Sequence, residues 1–257
     1  MPVLDPKHLE LDAHQLEEDG TPALRFVQFV GYTTYFGLMG WLGVSLVRGY
    51  AGPGSWWIVA LAAIAGYLVA DLLSGIVHFL ADNFGSPETP FVGQGFVLPF
   101  RQHHVDPMGI TRHGFFNTNG NNALVCVPIL ILVAIWAPVT TSSFWFGIGV
   151  FTWVTLFAVF ITNQTHKWAH MERVSKPVAW LQAAGLILRK DHHDIHHVRP
   201  YNTHYCITVG AWNTLFERYQ VFNRVERLIR RWVPGAQQAP PAEQKAAQDL
   251  MMHATRD

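Results

Sequence analysis

The residues able to do chemistry fall into four groups. The first is His78 and Asp82, one helical turn apart, with Asp71 seven residues before His78; those spacings put all three on one face of a helix. The second is His103 and His104, followed by His113. Adjacent histidines do not share a helix face, so this pair reads equally well as part of a solvated loop. The third is His166 and His170, an i, i+4 pair that projects two imidazoles toward one point, the minimum geometry of a helical metal site, with Asn163 one turn earlier on the same face. The fourth is His192, His193, His196 and His197, in which residues 193–197 read H-x-x-H-H. On a helix His193 would align with His197, and His192 with His196. A single buried histidine or an acid at a helix end has an ordinary structural explanation; four such groups together do not.

The donor chemistry narrows the metal. Cys126 and Cys206 are the only cysteines, which excludes a disulfide scaffold and a thiolate or iron–sulfur site. Imidazoles with a few carboxylates suit zinc, iron, copper or nickel, and one catalytic zinc needs only three protein ligands. Ten clustered histidines exceed that need and match two metals. Two irons held by neutral imidazoles can use O2 as oxidant.

The elements that position these groups are apolar. Charged residues make up 14% of the chain, against about 25% in an ordinary soluble domain. No Asp, Glu, Lys or Arg occurs from Phe26 to Val47, Asp71 is the only one from Trp56 to Ala81, and none occurs from His113 to His166. Crossing lipid hydrocarbon takes about 20 apolar residues as helix. The pattern predicts an all-α integral membrane protein with four spans, at roughly 24–47, 55–81, 123–139 and 143–165, and a cytosolic histidine-rich helical cap. Four spans put both termini on the side of the 82–122 loop. That side carries Lys7, Arg25, Arg101, Arg112 and the 13 basic residues from Lys167 onward, while the other carries Arg48 alone. Both termini are therefore expected in the cytoplasm, in a bacterial inner membrane or an endoplasmic reticulum. The histidine groups then all sit where spans leave the bilayer, on one side. A lipid chain can slide in from the membrane there while electrons arrive from the cytosol.

The expected organisation is a polar segment over 1–23, without the basic-then-apolar order of a signal peptide, a membrane domain over 24–234, and a loose Ala, Gln and Pro-rich tail over 235–257. Residues 91–100 read as a segment dipping into the membrane interface. Residues 221–233 read as a basic amphipathic helix, lying either on the membrane surface or on the protein's own cap. Zero net charge argues against a nucleic-acid partner.

The stretches 71–122 and 163–231 resemble the plasmanylethanolamine desaturase family, which has animal and bacterial ether-lipid members. More distantly they resemble the plant chloroplast desaturase that places a trans double bond in phosphatidylglycerol. The resemblance is carried by 71–78, 99–107, 110–113, 118–122, 163–170 and 192–198, and extends through His204 to Thr208. It implies a non-haem di-iron enzyme that forms the vinyl-ether bond of plasmalogens from an alkyl ether phospholipid, with O2 and two electrons. Its metal ligands would be drawn from His78, His103, His104, His113, His166, His170, His192, His193, His196 and His197, with Asp82 and Asn163 in catalytic roles. The general membrane-desaturase pattern is H-x-x-x-H followed twice by H-x-x-H-H. This chain departs from it at Asp82, a carboxylate in place of an imidazole, and at Phe100, where the middle motif would begin. No segment reads as a flavin or nicotinamide site, so an external reductase or small electron carrier, cytochrome b5-like or ferredoxin-like, is expected. Arg189, Lys190, Arg199 and the 224–231 stretch are the candidate docking residues. A fatty-acyl desaturase or lipid hydroxylase would share the ligand set. A membrane zinc hydrolase would need one zinc and no O2, and a haem-carrying electron carrier would need paired histidines inside two facing spans.

Overall fold

The structure, a computed structural model, describes residues 22–50, 52, 54–90 and 92–232. Two long helices, α1 (Pro22–Tyr50) and α2 (Trp56–Asn83), lead to one π-helical turn (Gly93–Val97) and the short helices α3 (Leu98–Val105) and α4 (Gly109–Arg112). The long α5 (Phe115–Trp136) and α6 (Ser143–His170) follow, and then α7 (Lys176–Ala183), α8 (Lys190–Asp194), α9 (Asn213–Arg218) and α10 (Val221–Trp232). No strand occurs among the described residues. The expected 1–23 segment and 235–257 tail lie almost wholly outside them.

Helix α6 is the centre of the bundle and touches α1, α2 and α5. It starts where Ser142 Oγ accepts the backbone N–H of Trp145, 3.3 Å away, just after Pro138 has ended the preceding turn. Helices α2 and α6 run the same way and meet closely at Gly66, where a Cβ would stand 2.6 Å from the Phe151 carbonyl oxygen. Thr155 Oγ1 donates to the Gly66 carbonyl at 3.1 Å across the same seam. Tyr35, Leu42, Cys126, Leu130, Leu156 and Phe160 form the apolar core shared by α1, α5 and α6.

Three helices, α2, α5 and α6, are long and apolar enough to cross a membrane. The expectation of four spans is therefore met in three. Helix α1 is continuous over 29 residues, but Gln28, Tyr32, Thr33, Thr34 and Tyr35 lower its apolarity. The third helix also starts eight residues before the expected 123. The polar run 118–122 is inside it because its amides find partners: across the bundle, Asn122 Nδ2 donates to the Val159 carbonyl at 2.8 Å and Asn119 Nδ2 to Gln164 Oε1 at 3.4 Å, and within the helix Asn119 Nδ2 also donates to the Phe115 carbonyl at 2.9 Å. Helices α2 and α6, 28 residues each, are about 42 Å long and exceed the roughly 30 Å of lipid hydrocarbon. Their extra turns carry His78, Asp82, His166 and His170.

The rest of the chain folds over those turns as a cap of short helices. Within the expected 91–100 segment, Gly93–Val97 form the π turn and Leu98–Phe100 start α3. The amphipathic reading of 221–233 yields α10, which lays Phe222 against Phe79 and Tyr205 on the protein itself, while Val225, Leu228 and Trp232 form a second, exposed apolar ridge beside Arg224, Arg227 and Arg231.

Candidate metal centre

Four elements bring their histidines to one place, where they sort into two adjoining groups. His103, His166, His170, His193 and His197 form one, and His78, Asp82, His104 and His196 the other; within each, one ligand atom per residue lies within 4.8 Å of every other. The neighbours His103 and His104 serve different groups. Successive side chains on a helix diverge by about 100°, so α3 feeds both groups from adjacent positions. The 192–197 run divides similarly. Only Lys190–Asp194 is helical, and the turn after it sends His196 to the Asp82 group while His197 returns to His193.

In the five-histidine group the Nε2 atoms converge. His166 to His193 is 2.8 Å, His170 to His193 is 2.9 Å, and His166 to His170 and His193 to His197 are both 3.1 Å. Neutral imidazoles cannot all hydrogen-bond around one point, since each offers a single N–H. In the second group Asp82 faces three imidazoles, with its carboxylate oxygens 3.1 Å from His104 Nε2, 3.3 Å from His78 Nε2 and 3.5 Å from His196 Nε2. These approaches miss hydrogen-bond geometry. Both Asp82 oxygens and the Nε2 atoms of His78, His104 and His196 are buried without a hydrogen-bond partner, as is His103 Nε2. Buried polar atoms are ordinarily satisfied, so a set of orphaned lone pairs aimed inward is what a divalent cation would complete. On the far side of the ring two of the histidines are satisfied: His78 Nδ1 lies 3.1 Å from the Tyr205 carbonyl and His196 Nδ1 2.7 Å from that of Thr203. A backbone carbonyl on Nδ1 fixes the tautomer that leaves Nε2 free to ligate. Burial first, and neighbouring imidazoles second, hold His103, His193 and His196 well below the ordinary 6.5. Burial brings His197 down to about 2. All four are neutral and ready to bind metal.

The structure keeps three of the expected residues out of both groups. His192 turns away, accepting from Asn213 Nδ2 at 3.0 Å and stacking edge-on with His204, because α8 ends before a second aligned pair could form. His113 follows α4, and its carbonyl receives Lys167 Nζ from α6. Asn163 donates to the Thr118 carbonyl at 3.1 Å and to Asn122 Oδ1 at 3.3 Å, tying α5 to α6 one turn below His166. Phe100 packs its ring 5.2 Å from that of His78, an apolar wall where the general pattern has an imidazole. Arg189 and Lys190 are engaged by Asp191 and Asp194, which reduces the basic patch expected there. The Thr203 and Tyr205 carbonyls had no signal in the sequence, because backbone acceptors leave none; the Tyr201 ring lies 4.7 Å from that of His104.

Comparison with known proteins agrees with this centre. The lipid desaturase domain family matches residues 67–238. The chain is 40% identical to "Plasmanylethanolamine desaturase" of Myxococcus xanthus over 237 residues, 90% of this chain and 81% of that protein. It is 43% identical to "Plasmanylethanolamine desaturase 1" of Mus musculus over 179 residues, covering 67% of this chain and 65% of the mouse protein. To "Fatty acid desaturase 4, chloroplastic" of Arabidopsis thaliana it is 37% identical over 172 residues, 66% of this chain and 51% of the plant protein. No solved structure matches. With its ligands gathered at the ends of membrane-length helices and the family model covering both groups, the chain belongs to the lipid desaturase family.

Proposed function

We propose that the protein is a plasmanylethanolamine desaturase, forming the vinyl-ether bond of a plasmalogen from an alkyl ether phospholipid. The observation that carries this reading is the pair of adjoining ligand groups, nine donors in all, at the membrane boundary of a chain so similar to enzymes of that name. His103, His166, His170, His193 and His197 hold one iron, and His78, Asp82, His104 and His196 the other. When bound, two irons with O2 supply the oxidant that removes two hydrogens, one from the carbon beside the ether oxygen and one from its neighbour, with two electrons and two protons completing the reduction of O2 to two waters.

Imidazoles with one carboxylate are a donor set that iron would accept, and the two groups would give each ion its own donors. The chain's own residues provide position. Imidazoles present Nε2 inward, the Tyr205 and Thr203 carbonyls fix the rings of His78 and His196, and Asn163 anchors α5 to α6 below the site.

Helix α1 is the fourth span. It runs antiparallel to α6 along most of its length, from Tyr35 beside Leu156 to Gly49 beside Phe146, and both termini then lie in the cytoplasm. The cap rests in the cytosolic leaflet. Its exposed Trp180, Leu186, Leu215 and Trp232 are apolar, and Trp212 Nε1 reaches the Leu68 carbonyl at 2.8 Å, well below His78 on α2. An external one-electron carrier supplies the electrons from the cytosol.

Purified protein given a reductase system, O2 and an alkyl ether phospholipid should yield the acid-labile vinyl ether. Turnover without O2 would refute the reading. A purely hydroxylated product would make the protein a hydroxylase, and activity only on acyl chains would make it a fatty-acyl desaturase.

A further inference from the structure

Asp71 is a carboxylate buried in the middle of α2, fully covered and outside both ligand groups. An acid inside an apolar helix is costly unless it is satisfied. Its partners are backbone N–H groups of one segment. Oδ1 accepts from Val209 and Gly210, each at 2.9 Å, and Oδ2 is 3.4 Å from the N–H of Trp212. One turn later Ser74 Oγ accepts the N–H of Ile207 at 3.0 Å. At Gly75 the same segment presses against the helix, where a Cβ would stand 2.4 Å from Cys206 Sγ and 3.3 Å from the Cys206 nitrogen. At His78 the segment ends its run along the helix with the Tyr205 carbonyl on Nδ1. Positions 71, 74, 75 and 78 share one helix face, so residues 203–212 form a strap laid along α2 from Asp71 to His78.

The strap also reaches the other wall of the centre. Its Thr203 carbonyl holds His196 Nδ1 at 2.7 Å, and the intervening His204 takes a left-handed backbone, φ 56°. The two ligands whose rings are fixed by strap carbonyls, His78 and His196, belong to the Asp82 group. No such bond from the strap fixes the ring of a five-histidine-group ligand among the described residues.

We propose that Asp71 is a positioning residue for the second metal: by gripping the strap at 209–212 it sets the carbonyls that aim His78 and His196 at Asp82. This rests on the two-metal reading above. Partners of this kind change metal affinity by about 10–100-fold when lost, and here the loss should fall on one ion of two.

The test is metal content per chain of purified, iron-loaded protein at limiting free iron, with the thermal transition as a check on folding. Wild type should hold two ions. Asp71→Ala should retain about one, with the affinity for the lost ion down about 10–100-fold. Asp71→Asn, which keeps one acceptor oxygen, should fall between. Gly75→Ala, which pushes the strap off the helix without touching a charge, should give the Asp71→Ala pattern. A merely structural role would instead remove both ions together with the folded transition. If Asp71→Ala does not fold, Asp71→Asn and Gly75→Ala decide, and two ions at wild-type affinity in both would overturn the proposal. Fewer than two ions in wild type would sink the two-metal reading itself, which separates that failure from this one.

Discussion

Asp82 is the residue at which this chain most clearly departs from an all-histidine ligand pattern, and its surroundings make a specific demand. Its side chain is 7% exposed and faces three imidazoles, so it is not an acid marking a helix exit into water. Asp82→Ala and Asp82→Asn should each lose iron from one group and all product. Asp82→Glu should fail nearly as badly, because productive geometry tolerates about 0.5 Å. Near-normal turnover by Asp82→Ala would remove it from the site. Histidines should divide by group membership: alanine at His166, His170, His193 or His197 abolishes product while membrane insertion persists, whereas His113→Ala keeps the wild-type iron content. The neutral imidazoles also set a pH response. His103, His193, His196 and His197 stand below 6.5 in the folded protein. As pH falls through 6.5 the unfolded chain takes up protons that these buried rings do not, so the stability carried by their neutral form is present above that pH and lost below it. The melting temperature of metal-free protein in detergent should therefore fall between about pH 7 and pH 5; a flat profile would contradict their burial.

The helices were legible where charge was absent, because lipid tolerates few unpaired charges and long uncharged runs have few alternatives. The expected second span ends within two residues of the end of α2. The helical turns of α5 before the expected third span are not legible, since nothing local says that the amides of Asn119 and Asn122 find partners on α6. The i, i+4 pair His166 and His170 was readable from helix geometry alone. The fate of His192 was not, because it depends on where α8 unwinds and on Asn213, 21 residues away. The strap was invisible for the same reason that its carbonyls were: its bonds are made by backbone. Two element-scale outcomes follow. Gly66→Ala places a methyl 2.6 Å from the Phe151 carbonyl and should destabilise the α2–α6 seam by about 1–3 kcal/mol, read as a lower melting temperature. Cysteines at Gly52 and Ser142 should label from outside the cell and one at Glu172 should not; outside labelling of Glu172 would refute the topology.

Across the whole molecule, a bundle of apolar helices carries a cap that closes over their protruding ends, and the chemistry is built at that junction. Resemblance at the sequence level and geometry in the fold agree on a lipid desaturase, and the division of donors into five and four is what makes two irons the central claim. The most direct test is elemental analysis of protein purified under anaerobic, iron-replete conditions. The account predicts two irons per chain, matching the two ligand groups, and no stoichiometric zinc. One metal per chain, or zinc in place of iron, would contradict it.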